Sequence, residues 1–401
     1  MRKTVVALNV GSANVKFAAF ALGANGDVSD LLFRGLVEFH RGQLNFRLAD
    51  SSGRDLAPPS GTPGKRGDEA AAQALLAPAL AWIAAHGRDH ALQAVGHRVV
   101  HGGRGHPAAA PLSDKLILDI EKLLPLDPPG LAGSLAAMRA LAADRPGLAQ
   151  VACFDGAFYR GGAAMPHLLP LPGPLKDVAA HGYGIHGLSY EYIAQVLPQF
   201  LGAAAEQKVV VAHLGNEASM CALNQRRHVA NAADFSAVEG LPMATRSGAL
   251  DPGVILHLLN HYNMSLPQLA HLMCEESGLL GVSGVSGDMR ELLQSADPHA
   301  REAIELFIYR IGRDVGSLAA ALEGMDALVF TGGIGEHDAA LRAQVCRNAA
   351  WLGIELDQSA NLRGGPRISA PGSRASAWVI PTDEESIIAR HTMEALNNEH
   401  R

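Results

Sequence analysis

No apolar run in this 401-residue chain approaches the ~18 residues that cross a bilayer, so no membrane-spanning helix is expected. Cysteine is scarce: Cys153, Cys221, Cys274 and Cys346 lie far apart with no CxxC pair. They predict free, buried thiols in a reducing cytoplasm. Basic clusters are missing as well. The net charge is -7 and Lys and Arg are scattered, which leaves no nucleic-acid footprint. An anionic substrate must then be held by a few local cations. None of the three glycine turns that end apolar strands, near 11–16, 215–217 and 330–338, matches G-x-x-x-x-G-K-[ST] or G-x-G-x-x-G, so phosphate binding would have to come from an assembly of separate turns. The opening MRKTVVALNVGS starts basic, but Asn9 cuts its apolar run and no small-residue cleavage site follows. It reads as a strand, not a signal peptide.

What is present is an ordinary globular composition, 48% hydrophobic and 18% charged, in a chain longer than one core usually fills. Two domains are therefore expected. Pro/Gly/Ser-rich stretches near 51–70 and 363–376 read as surface loops. Elsewhere short β-rich runs alternate with Ala/Leu-rich helical runs: AVGHRVVHGG precedes a helix near 113–124, and ALVFTGGIGE precedes HDAALRAQVCRNAAWLG. That alternation predicts an α/β architecture.

One stretch resembles another inside the chain. VVALNVGSANVKFAAF (5–20) lies without gaps over VVVAHLGNEASMCALN (209–224). In each, an apolar run ends at a polar residue (Asn9, His213), then one apolar residue, then glycine (Gly11, Gly215), then a second strand. Either two hairpins coincide, or the chain is a duplication in which each lobe presents a strand, a glycine turn and a strand. A third glycine turn, FTGGIGEHD (330–338), ends another apolar strand. Such turns let backbone N–H groups approach a phosphate.

Several polar residues sit beside these turns. Arg98 in GHRVVHGG is either an edge charge or a fixed guanidinium for a carboxylate or phosphate. Asp155 in ACFDGAFYR either caps a turn or serves as a catalytic or metal-binding carboxylate. His186, before a helix in HGYGIHGLSYEYI, either caps and packs or joins an anion site. Arg246 lies in the polar cluster EGLPMATRSGALDPG, and Asp288 and Arg290 open a helix after SGLLGVSGVSG. Glu384 and Glu385 in VIPTDEESIIAR either complement a helix dipole or bind Mg²⁺. Two arginines, a lysine (Lys16), a histidine, an aspartate and a glutamate beside glycine turns suit phosphoryl transfer, where a protein mainly positions groups and neutralises charge.

The ordered motifs LNVGSANVKF, GHRVVHGG, FDGAF, YGIHGLS, AHLGNEAS, EGLPMATRSGALDPG, SGLLGVSGVSGDMR, FTGGIGE and IPTDEE resemble the acetate/propionate kinase family of the actin, sugar-kinase and Hsp70 superfamily. The resemblance runs nearly end to end. It implies two actin-like (ribonuclease H-like) α/β lobes with mixed sheets around a nucleotide cleft, residues 1–150 plus 386–401 and residues 151–385. It also implies a cytoplasmic enzyme, usually a homodimer, with ATP/ADP and Mg²⁺ (or Mn²⁺). The reaction would be reversible direct in-line phosphoryl transfer between ATP and acetate. Propionate or a slightly longer acid is the alternative substrate, and a degenerate nucleotide-binding paralogue with weak turnover is the second alternative.

Carried over, the family pattern implies Asn9 and Glu384 for the metal, and Arg98 with Val100, Ile185 and Ala237 for the acid. It implies Asp155, Arg246 and His186 as catalytic residues. The nucleotide would be held by Ser12, Lys16, the turn His213, Leu214, Gly215, Asn216 and Glu217, the segment Asp288, Met289 and Arg290, and the segment Gly333, Ile334, Gly335, Glu336 and His337. The sequence departs from the family pattern at Ala13 and Asn14, at Tyr190 and His337, at Asp127 (where a histidine is common), and at Glu217 (where glycine is usual). A carboxylate at 217 either points outward, binds a metal or cation, or lowers nucleotide affinity.

Overall fold

The computed structural model describes residues 2–11, 14–40, 43–56, 79, 91–103, 106, 108–124, 128–161, 170–173, 184–233 and 235–399. Ser12, Ala13 and Asp127 lie outside the described residues, as does most of the loop near 51–70. The chain divides into two compact units, Met1–Ala157 with Asp383–Arg401, and Phe158–Thr382.

The first unit is built on a seven-stranded sheet, in the order β4-β3-β2-β1-β5-β7-β6. Its strands are β1 Lys3–Val10, β2 Asn14–Leu22, β3 Val28–His40, β4 Gln43–Asp50, β5 Ala91–Val99, β6 Ala110–Pro111 and β7 Ala149–Phe154. β1 pairs antiparallel with β2 and parallel with β5, and β5 pairs parallel with β7. The central parallel strands are apolar almost throughout because both of their faces are covered. On one face Val6, Leu8 and Val95 pack with Ala137 and Leu141 of the helix Pro128–Asp144. On the other, the terminal helix Glu384–Glu399 comes so close that a Cβ on Gly96 would stand 2.0 Å from Thr392 Oγ1. Glycine there admits the helix.

The second unit has a five-stranded sheet, in the order β10-β9-β8-β11-β12. Its strands are β8 Val209–Leu214, β9 Ala218–Asn224, β10 Arg227–Asn231, β11 Ala327–Thr331 and β12 Ser376–Val379. Alternation decides which helix each residue meets. Val210, Ala212 and Phe330 pack with Phe307 and Ile311 of the helix Pro298–Ala321. Val209, Val211 and Val329 pack with Tyr190, Ile193 and Leu197 of the helix Gly187–Leu201.

The two sheets share one plan. β1, β2, β3, β5 and β7 correspond to β8, β9, β10, β11 and β12: in each set the first pairs antiparallel with the second and the second with the third, while the first runs parallel to the fourth member and that to the fifth. This is the α/β actin-like arrangement expected from the sequence, twice over. The gapless overlay of the two hairpins needs one correction. Val10 pairs with Val15 in the first unit, but Leu214 pairs with Ala218 in the second, so the second turn is one residue shorter. Gly11 N donates to Asn14 O at 2.8 Å, and Gly215 N donates to Glu217 O at 3.0 Å. Glu217 therefore stands where Asn14 does, not where Ala13 does.

Candidate active site

In the first unit, the β1–β2 register sets Asn9 opposite Lys16. Asn9 Nδ2 donates to Glu384 Oε2 at 2.9 Å and to Glu385 Oε1 at 3.0 Å, while its Oδ1 accepts from Arg98 Nη1 at 3.4 Å. Lys16 Nζ lies 3.8 Å from Glu384. Burial pushes the Glu385 carboxyl above its ordinary value, with Lys16 pulling it down and Glu384 pushing it further up.

Arg98 is not an edge charge. It lies on β5, between β1 and β7, and is buried. Its Nη2 reaches Asp155 Oδ2 at 2.7 Å, and its Nε lies 3.2 and 3.1 Å from the two carboxylate oxygens. Asp155, just past β7 and completely buried, thus holds a guanidinium fork. Val100 follows on the same segment and is buried.

In the second unit, His186 precedes the helix Gly187–Leu201 with φ 61°, a left-handed backbone that a non-glycine residue adopts at a cost. Its side chain does not cap that helix. Instead Nδ1 lies 2.8 Å from Ser219 Oγ, which in turn lies 2.5 Å from the Tyr190 hydroxyl. The ring stacks on His213, with centroids 4.0 Å apart, and His213 Nδ1 is 2.8 Å from Ser189 Oγ. Arg246 Nη2 sits 3.0 Å from Glu217 Oε1, and His186 Nε2 sits 3.9 Å from Glu217 Oε2. Glu217 therefore faces two cationic or proton-donating groups inside its own unit; the outward orientation is overturned.

The same unit gathers the remaining turns around this point. Ala244 N donates to Asn216 O at 3.0 Å, which joins the β8–β9 turn to the segment carrying Arg246. A Cβ on Gly287, beside Asp288, would stand 2.6 Å from Ala244 O. Gly332, at φ 78°, would place a Cβ 2.7 Å from Leu214 O. Three glycine-bearing segments thus abut with no room for side chains. Asp288 caps the short helix Met289–Leu292 and also pairs with Arg290 at 2.7 Å. Met289 and Leu214 are buried in the core, and Ile334 packs against it. Gly335 is buried, while Gly333 and His337 are exposed. Ile185 and Ala237 are buried, and Ala237 O accepts from Arg246 Nη1 at 3.4 Å.

Glu336, expected at the nucleotide, also holds its own turn, and Arg342 carried no clear sequence signal. Glu336 Oε1 accepts from Gly332 N at 2.9 Å and Thr382 N at 3.3 Å, so its carboxylate staples its own turn. Arg342 is almost completely buried. It donates to the carbonyls of Gly335 and Glu336 at 2.9 and 2.8 Å and to Asn361 Oδ1 at 2.9 Å. An arginine inside a helical run reads as a solvated charge; only its fold neighbours reveal the clamp.

The Acetokinase family pattern matches residues 4–390 of this chain. An acetate kinase of Rhodopseudomonas palustris is 46% identical over 400 residues, covering 98% of each chain. A propionate kinase structure from Francisella tularensis superposes with a TM-score of 0.82 at 28% identity, covering 97% of this chain and 98% of that one. An acetate kinase structure from Porphyromonas gingivalis superposes with a TM-score of 0.76 at 32% identity, covering 98% and 100%.

Proposed function

The chain belongs to the acetokinase family, and on that premise we propose that it transfers a phosphoryl group reversibly between ATP and acetate, giving acetyl phosphate and ADP. One observation carries the reading: two buried guanidinium groups, Arg98 and Arg246, in a chain of net charge -7. The reaction needs one cation for a carboxylate and one for a phosphoryl group. Arg98 would hold the acid beside Val100, with Ile185 and Ala237 also assigned to it. Asp155 holds Arg98 in place. Arg246 and His186 would stabilise charge on the phosphoryl oxygens, a role typically worth ~3–4 kcal/mol of barrier per group. Lys16, the His213–Asn216 turn and the segments at 288–290 and 333–337 would serve the nucleotide. The acid is already ionised at neutral pH, so positioning outweighs base catalysis.

Asn9 and Glu384, with Glu385 beside them, present an amide and two carboxylates, which fits a hard divalent cation. Among the described residues no three His, Cys, Asp or Glu side chains form a metal cage. Mg²⁺ takes one or two protein carboxylates and completes its shell with phosphates and water. When bound, the ion neutralises charge on the phosphates.

The curated relative's name favours acetate over propionate. A homodimer is supported by the helix Pro252–His261 (PGVILHLLNH), which buries none of its residues although Leu256 is 59% exposed. Among the described residues no helix is long and apolar enough to cross a membrane.

The test is direct. Purified protein is incubated with MgATP and acetate, propionate or butyrate, and acyl phosphate is trapped with hydroxylamine. Acetate is expected to give the largest rate constant over KM. No hydroxamate from any acid overturns the reading, and a larger value for propionate moves the substrate.

A further inference from the structure

We infer that Glu217 is an internal stand-in for the phosphoryl group: its carboxylate fills the anion seat made by Arg246 and His186, and incoming phosphate must displace it. The inference rests on the phosphotransfer reading above and names the residue that controls access to that site.

Three observations converge. The first is the backbone. The β8–β9 turn is one residue shorter than its counterpart, and Gly215 N closes it on Glu217 O at 3.0 Å. Asn216 O in turn accepts from Ala244 N, two residues before Arg246. The side chain of residue 217 is therefore launched from a fixed point toward the arginine.

The second is the cation set. One carboxylate oxygen lies 3.0 Å from Arg246 Nη2 and the other points to His186 Nε2 at 3.9 Å. A carboxylate and a phosphoryl group present the same kind of oxygen acceptors to a guanidinium. They cannot share it: two unit charges ~4 Å apart repel by ~1 kcal/mol in water and ~4 kcal/mol near a protein surface.

The third is which partner can move. His186 is held by Ser219, by stacking on His213 and by its left-handed backbone. Arg246 is buried, whereas the Glu217 side chain keeps 15% of its surface exposed on a flexible stem. The carboxylate leaves; the seat stays.

Full-length wild type, Glu217→Gln and Glu217→Gly are titrated with inorganic phosphate by calorimetry, without nucleotide. Both variants are expected to bind phosphate at least tenfold more tightly, and adding Arg246→Ala to Glu217→Gln should abolish the gain. In turnover, the KM for acetyl phosphate should fall. Equal or weaker phosphate binding overturns the inference, as does a fall in kcat at unchanged KM, which would mark Glu217 as a residue that orients Arg246. Glu217→Gln preserves side-chain size, so it secures the measurement should the glycine variant misfold. If no acid gives hydroxamate yet the variants bind phosphate more tightly, the reaction falls and the seat stands. Turnover with unchanged phosphate binding does the reverse.

Discussion

Each unit sets a buried arginine against a carboxylate that lies just past the end of a buried strand, yet the two pairs are built differently. In the first, Arg98 grips a completely buried Asp155 through two nitrogens, with its closest contact at 2.7 Å. In the second, Arg246 meets Glu217 at 3.0 Å, and that carboxylate keeps a solvent-facing edge. The same chemistry thus serves two ends. A pair sealed from water costs several kcal/mol to break, because whichever partner remains is a stranded charge. A pair whose carboxylate keeps one edge in solvent costs less to break, because another anion can take the vacated place. The first arrangement fixes a side chain, and the second allows an exchange.

That contrast can be broken in graded steps. Asp155→Ala should cost about 3–5 kcal/mol of stability by stranding Arg98. It should also lower the hydroxamate rate at least a hundredfold. Urea melts alongside the rate assay check both, and a variant as stable as wild type would erase the distinction between the pairs.

Acid should separate the units next. Burial holds His97, in the first unit, down at about 4, with Gln150 pulling the other way. Between the unfolded value near 6.5 and about 4, the unfolded chain takes up a proton that the folded chain refuses. Stability therefore falls as pH falls through that window, by about 3 kcal/mol in full. Asp314, in the second unit, is pushed up to about 6 by burial, against the pull of Arg310 and Arg313. Its sign is opposite: stability is lost as pH rises from about 4 to 6. Urea midpoints measured across pH 4–7 should lose their acid slope in His97→Leu and steepen in Asp314→Asn.

Glu217→Gln should cost less stability than Asp155→Ala, since its carboxylate already keeps an edge in solvent. The smallest effect belongs to Tyr190→Phe. It removes one hydroxyl from the Ser219–His186 chain, costs about 0.5–1 kcal/mol and slows turnover a few-fold by loosening the imidazole. A larger drop in kcat than in stability would show that the hydroxyl sets the ring's orientation.

Much of this was legible one residue at a time. The apolar runs of β1 and β8, each ended by a polar residue and a glycine, announced the strands and their turns, and Arg98, Asp155, His186 and Arg246 drew attention by sitting beside glycines. The pairings were not legible, because Arg98 and Asp155 are 57 residues apart and Asn9 and Glu384 are 375 apart. The β5–β7 pairing brings the first pair together, and the terminal helix packed on the sheet brings the second. The turn lengths were hidden for a related reason: a gapless overlay counts letters, whereas strand pairing counts partners. Glu217 stood out as a departure, but nothing in its neighbourhood of sequence identified Arg246 as the group it meets. Arg342 gave no warning, since its acceptors are carbonyl oxygens that any sequence supplies.

The terminal helix belongs to the first unit, and this has a consequence for synthesis. Residues 158–382 form one uninterrupted stretch, so the second unit can fold as soon as it leaves the ribosome. The first unit cannot. Its β1 and β5 are made before the second unit, but Ile388 and Thr392, which cover Gly96, and Glu384, which bonds Asn9, are made only after the whole of the second unit. Until then that helix leaves its face of the sheet uncovered, and the residues assigned to the metal stand on either side of the second unit's sequence. A chain cut short by even its final helix would carry a finished second unit and an unfinished first one.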